Sequence, residues 1–152
     1  MISVYEKMEG EYLITTNIKK MNVNVIHEYL SKESYWAKNI PLKIVERFMR
    51  HSFCFAVIHQ NETIGFARLV TDYATFAYLA DVFILPEYRK KGLSKKLLNF
   101  IHANPELQGL RRWLLATEDA HDLYEQYDWI KLSGPQAKRF MQKHNPNVYK
   151  NV

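Results

Sequence analysis

A chain of 152 residues with 47% apolar and 14% aromatic side chains can bury a core, which argues for one compact domain over 1–152 and against a disordered tail. The formal net charge of +5 favours polyanionic partners (nucleic acid, phosphorylated cofactors or acidic surfaces) without choosing among them. The longest purely apolar run, Phe53–Ile58, is far short of the roughly 20 residues that span a bilayer, and Glu6, Lys7, Glu9 and Glu11 stand where a signal peptide needs apolar residues. The single cysteine, Cys54, has no internal disulfide partner. A cytoplasmic protein with no membrane partner is the expectation.

In chain order, Tyr12–Thr16 reads as a short first strand. Val23, Ile26 and Leu30 recur at helical spacing, and a second helix is expected from Pro41, with Ile44, Val45, Phe48 and Met49 as its apolar stripe. Ser52–His59 and Thr63–Thr71 are β-branched and aromatic runs flanking Gln60-Asn61-Glu62, a hairpin pattern. Phe76–Leu85 is apolar on both faces and reads as a central strand ended by Pro86, which cannot supply a ladder hydrogen bond. A helix is expected over Leu93–Ala103, a strand over Arg111–Thr117, and a last helix carrying Ala120, Leu123, Tyr124 and Tyr127. Edge strands are expected near Trp129–Leu132 and Lys138–Gln142. This order makes an α/β fold with a mixed central sheet.

The chemistry concentrates where that central strand ends. Pro86-Glu87-Tyr88-Arg89-Lys90-Lys91-Gly92-Leu93-Ser94 is a basic loop that turns through a glycine straight into a helix. Such a turn aims backbone N–H groups and a positive helix end at one spot, and Gly92 lets a bulky anion approach closely. Arg89, Lys90, Lys91, Lys95 and Lys96 form the densest basic cluster in the chain. Neither G-x-x-x-x-G-K-[ST] nor G-x-G-x-x-G is present, so the loop is no P-loop and no dinucleotide fingerprint.

This run resembles the acyl-CoA-binding motif of the GNAT acetyltransferases, R/Q-x-x-G-x-G/A, with Arg89 and Gly92 matching and Ser94 replacing the second small residue. Downstream, Thr117–Trp129 resembles that family's N-x-x-A-x-x-L-Y-x-x-x-G-F through Ala120, Leu123 and Tyr124, with Thr117, Asp128 and Trp129 as departures. Ser34-Tyr35-Trp36-Ala37 and Asp72–Asp81 further resemble a bacterial subgroup of the family.

The resemblance implies a mixed, mostly antiparallel sheet of about six or seven strands flanked by about four helices. It implies acetyl-CoA as acyl donor and a direct attack by an amine on the thioester. Val82, Phe83 and Ile84 would present backbone groups to the pantetheine arm. Arg89, Lys90, Lys91, Gly92, Leu93 and Ser94 would hold the pyrophosphate, and Thr117 would lie beside the donor. Tyr124 matches the general acid that protonates the leaving thiolate. A phenol near ~10 and a thiol near ~8.5 make that transfer only mildly uphill.

Asp81, a carboxylate on an otherwise apolar strand, is the first candidate for the base, and pairing with Arg68 is its structural alternative. Trp36, Arg68, Asp72 and Tyr78 are candidate acceptor-binding residues, Arg68 as a possible carboxylate clamp. The six histidines lack metal-ligand spacing, so no metal is expected. A small-molecule amine as acceptor and a homodimer fit the family, and nucleic acid is not an expected partner because the basic cluster lacks interleaved aromatics. Ser94, Thr117 and Asp128 leave open a catalytically idle acyl-CoA-binding domain that senses or scaffolds.

Overall fold

The computed structural model describes residues 2–152. Six strands run in sequence order across one sheet: β1 (Glu6–Glu9), β2 (Tyr12–Thr15), β3 (Phe53–His59), β4 (Glu62–Thr71), β5 (Phe76–Ile84) and β6 (Arg112–Leu114). Every neighbouring pair is antiparallel except β5 and β6, which are parallel. Five helices accompany them: α1 (Val23–Glu28), α2 (Leu42–Arg50), α3 (Leu93–His102), α4 (His121–Glu125) and α5 (Gly134–Ala137).

Strand periodicity explains the layers. On β3, Phe53, Phe55 and Val57 point to one face while Cys54, Ala56 and Ile58 point to the other, and all six are buried. The first face packs on Leu93, Leu97, Leu98 and Ile101 of α3. The second packs on Ile26 of α1 and on Val45 and Met49 of α2. Each fully buried leucine or isoleucine contributes about 1.5–3 kcal/mol relative to exposure. Gly65 on β4 is required by close approach, since a Cβ there would lie 2.6 Å from Ile84 Cδ1 and 3.2 Å from the Phe83 carbonyl oxygen.

Two irregularities of β5 shape the site. Arg68 sits opposite Ala80 while Phe66 sits opposite Phe83, so Ala67 alone faces both Asp81 and Val82. This is a β-bulge, and Asp81 takes a left-handed backbone with φ 54°. In addition, β5 pairs with β6 only from Phe76 to Tyr78, against Arg112 to Leu114. Beyond that point the two parallel strands part, and the edge of Leu79–Ile84 that would face β6 has no strand partner.

Four local expectations need correction. Strand β1 was not anticipated, because Glu6-Lys7-Met8-Glu9 is mostly charged and is held by its pairing with β2. Pro41 is the N-cap of α2 and not its first helical residue. The sixth strand is shorter than Arg111–Thr117. Residues 129–132 and 138–142 form no strands. Asp128 turns the chain with φ 67° and Trp129 is drawn inward by aromatic neighbours, so the following residues leave β6 instead of pairing with it. Pro135 and Gly134, with φ 52°, then start the short α5.

Candidate active site

The loop after β5 folds as the sequence suggests. Pro86–Tyr88 makes a 3-10 turn, Lys90 and Gly92 both take positive φ (63° and 74°), and Gly92 is the N-cap of α3. No side chain caps the first turn of α3, so the N–H groups around Leu93 and Ser94 remain available to a ligand. A Cβ added at Gly92 would meet nothing within 4 Å, so the space above that backbone is open to a ligand atom. A depression of about 430 Å³ opens here, lined by Ile84, Tyr88, Arg89, Gly92, Ser94 and, across from α3, Leu123 beside α4's Tyr124.

Arg89 has a different place from its basic neighbours. Its Nε donates to the Ile84 carbonyl at 3.0 Å and one terminal nitrogen donates to the Tyr29 hydroxyl at 2.9 Å. The guanidinium therefore ties the end of β5 to the turn after α1, while Lys90 and Lys91 stay exposed. Tyr88 is fixed in turn by a relay in which its hydroxyl donates to Nδ1 of His59 (3.1 Å) and His59 Nε2–H donates to Glu11 (2.9 Å).

The gap between β5 and β6 is spanned from one side by residues 29–36, which continue α1 through a wide π turn, Tyr29–Glu33. Tyr29 stacks on Phe83 at 4.0 Å. Trp36 Nε1 donates to Asp81 Oδ1 at 2.7 Å, and the Tyr35 hydroxyl accepts from the Glu118 N–H at 3.0 Å. One dipeptide thus touches both arms of the splay, although its rings stay about half exposed.

Tyr124 enters the same region from α4. The residue is 7% exposed, and its hydroxyl finds no hydrogen-bond partner among the described residues, yet it is not sealed from solvent. Burial first, then nearby Tyr35 and Asp119, push its phenol up to about 12. Tyr124 and Thr117 also border a larger cavity of about 900 Å³ beyond the free edge of β6. Thr117 closes the turn that leads into α4, its hydroxyl accepting from the N–H groups of Asp119 at 3.4 Å and Ala120 at 3.1 Å.

The remaining predicted residues divide. Asp81 is brought to the splay, but both carboxylate oxygens are engaged, one by Trp36 and one by Arg68 Nε. Arg68 also donates to Ser52 and lies 4.1 Å over the Phe48 ring. Strand alternation puts Tyr78 on the same face of β5 as Ala80, which sits opposite Arg68. Asp72 lies elsewhere, in the loop before β5. The Thr75 hydroxyl, then the N–H groups of Thr75, Ala74 and Phe76, hold its carboxyl well below the usual range. Cys54 is inert, its thiol pushed up to about 12 by burial. Among the described residues no group of three or more potential ligands could hold a metal.

Residues 23–129 match the Acetyltransferase (GNAT) family. The chain belongs to the GNAT acetyltransferases. A crystal structure of a candidate GNAT acetyltransferase from Xanthomonas campestris pv. campestris superposes with a TM-score of 0.87 at 40% identity, covering 99% of each chain. A candidate acetyltransferase of Gibberella zeae is 32% identical over 76% of each chain. An uncharacterised N-acetyltransferase of Porphyra purpurea is 28% identical over 84% of this chain and 75% of its own length. The activity of the chain is therefore acyl transfer, and GNAT enzymes in general draw the acyl group from acetyl-CoA.

Sequence reasoning missed one cluster that holds this GNAT fold together behind the site. The His102 ring stacks on Trp113 (5.2 Å) and Tyr127 (4.9 Å), its Nδ1–H donates to the Leu98 carbonyl, and its Nε2 accepts from Trp129 Nε1 at 3.0 Å. Burial lowers its pKa from the ordinary 6.5. Because the folded value is depressed, the stabilisation is present above ~6.5 and is lost as pH falls through the folded value. Urea midpoints should therefore drop between about pH 7.5 and about pH 5, and His102→Gln should show a shallower drop from a lower starting point.

Proposed function

We propose that this chain is an acetyl-CoA-dependent N-acetyltransferase acting, as one domain, on a primary amine of a small molecule. The observation that carries the reading is the uncapped, glycine-opened start of α3 beside the unpaired edge of β5, with the unpartnered Tyr124 hydroxyl across the cleft. Acetyl-CoA, when bound, supplies a thioester carbonyl and a thiolate leaving group.

The residues present fit that donor. Lys91, Gly92, Leu93 and Ser94 offer backbone N–H groups to a diphosphate, with Lys90 and Lys91 adding charge. Arg89 acts through position, fastening the loop to Ile84 and Tyr29. Val82, Phe83 and Ile84 lie along the edge of β5 that has no strand partner and would face the pantetheine arm there, the Ile84 carbonyl being already taken by Arg89. The bulge at Asp81 re-aims the Val82 N–H, which would stabilise negative charge growing on a carbonyl oxygen beside it. Tyr124 is the group that would give a proton to the sulfur when an amine displaces it from the acetyl carbon. The proton released by nitrogen passes to water or to a carboxylate at the splay.

Asp81 is the carboxylate nearest this role by position, but its two engaged oxygens suit it better to hold Trp36 and the acceptor wall. The two roles separate in a pH–rate profile. Asp81→Asn is expected to lower kcat/KM about tenfold without abolishing the acidic limb, whereas loss of that limb would assign the base to Asp81.

The reaction itself is tested by following free thiol when protein, acetyl-CoA and a panel of primary amines are mixed. Amine-dependent thiol release supports transfer. Retained donor binding with no release on any amine would favour the idle acyl-CoA-binding domain.

A further inference from the structure

Tyr35 is bonded to the segment that launches α4, and the way it is held begins at its neighbour. Ser34 is 1% exposed although polar. Its Oγ donates to the Leu30 carbonyl at 2.6 Å and accepts from the Ala37 N–H at 3.1 Å. A buried hydroxyl satisfied on both sides is costly to displace, so the chain leaving the π turn is held to one course. Trp36 is then tied by its Nε1–H to Asp81 on β5, and Asp81 is held in turn by Arg68 on β4. The Trp36 ring meets that of Tyr35 edge to face at 4.9 Å. Tyr35 therefore projects from a segment fixed to the central strands, although the residue is 47% exposed.

Its hydroxyl accepts from the Glu118 N–H at 3.0 Å, joining residues 83 positions apart in the chain. Glu118 lies between β6 and α4, where no ladder fixes the backbone, since β6 ends at Leu114. The Thr117 hydroxyl makes only local bonds there, to Asp119 and Ala120. Helix α4 has five residues and no side-chain cap, too little to set its own direction. Packing against Trp129 seats the ring of Tyr124, but no bond among the described residues holds its hydroxyl. Where that hydroxyl lies depends on what anchors the turn before α4. Among the described residues, Tyr35 supplies the side-chain hydrogen bond that reaches this turn from across the gap between β5 and β6. Burial and then the neighbouring Tyr35 raise the Tyr124 phenol, which agrees with the two hydroxyls sharing one region.

Resting on the reading of Tyr124 as proton donor, we infer that Tyr35 is its positioning residue: through the Glu118 N–H it holds the start of α4 to the β5 side of the splay and so keeps the Tyr124 hydroxyl at the cleft. Ser34, Trp36 and Asp81 serve this role by fixing Tyr35 to the sheet.

Tyr35→Phe removes one hydroxyl and keeps the ring. With hydroxylamine as the acceptor probe and free thiol as the readout, it should lower kcat about tenfold and leave the acetyl-CoA KM within about twofold. The thermal midpoint should stay within a few degrees of wild type. In the Tyr124→Phe background the same change should cost less than about twofold, because no proton donor is left to position. Amide hydrogen exchange at Glu118, followed by NMR, should quicken in Tyr35→Phe, which reads the bond without reference to activity. Tyr35→Phe turning over as fast as wild type, or losing as much rate in the Tyr124→Phe background as alone, overturns the inference while the role of Tyr124 stands. Wild-type turnover by Tyr124→Phe overturns that role and this inference with it. No thiol release above the uncatalysed rate from a protein that binds acetyl-CoA would overturn the transferase reading as well.

Discussion

Gly92→Glu is expected to weaken acetyl-CoA binding by at least ~100-fold while leaving the protein folded. Gly92 holds φ 74°, which costs a side-chain-bearing residue about 1–2 kcal/mol. The fold can absorb this, since neighbouring Lys90 already takes φ 63° and a Cβ at 92 meets no protein atom within 4 Å. A ligand cannot absorb it. The new side chain occupies the space through which a diphosphate would reach the α3 amides, and its carboxylate repels the phosphates there. Gly92→Ala should fall between wild type and the glutamate variant, losing about tenfold from bulk and strain alone. Calorimetric titration measures the affinity, and a thermal midpoint within a few degrees of wild type confirms the fold.

Tyr124→Phe should lower kcat by about 10²–10³ while changing the acetyl-CoA KM by less than about threefold. The ring would keep its packing against Trp129, 5.9 Å away, so only the hydroxyl is removed. That hydroxyl has no protein partner, so its removal breaks no internal hydrogen bond, and the thermal midpoint should stay or rise slightly. A loss of rate without loss of stability separates proton donation from structural support.

The phenol's elevation to about 12 has two consequences. Tyr124 stays protonated throughout the neutral range, so no basic limb arises from it below about pH 11. Its proton is also harder to give away than an ordinary phenol's. Against a thiol near ~8.5 in water the gap of ~3.5 units is worth about 5 kcal/mol, and the burial that raises the phenol also raises the proton affinity of a thiolate held beside it.

The part of this site that is local in sequence was legible from sequence. A strand ended by Pro86, a basic turn and Gly92 opening a helix lie within one short segment, and their geometry follows from backbone rules that hold for any neighbours. Tyr124 stood out through the resemblance that Ala120, Leu123 and Tyr124 together carry, and the structure places it on α4. The unbroken apolar run Phe53–Ile58 likewise marked a strand, and the structure buries it on both faces.

What escaped was set by contacts between distant residues. Nothing near Tyr35 signals that its hydroxyl accepts from Glu118, or that Trp36 reaches Asp81. His102 looked like one more histidine until Trp113, Tyr127 and Trp129 closed around it. The pairing of Asp81 with Arg68 was one of two readings open in the sequence, and the bulge that permits it appears only in the register of β4 against β5. The apolar residues of 129–132 misled because they describe a segment able to form a strand, and say nothing about whether the turn at Asp128 delivers it to an edge.

The central claim, that the opened start of α3 and the parted strands receive acetyl-CoA, is tested most directly by calorimetric titration of the unmodified protein with acetyl-CoA, with ATP as a control for nonspecific phosphate affinity. The account predicts one site per chain with micromolar affinity for acetyl-CoA and at least ~10-fold weaker binding of ATP. Absence of binding heat from a demonstrably folded protein at several temperatures, or equal affinity for both ligands, would contradict it.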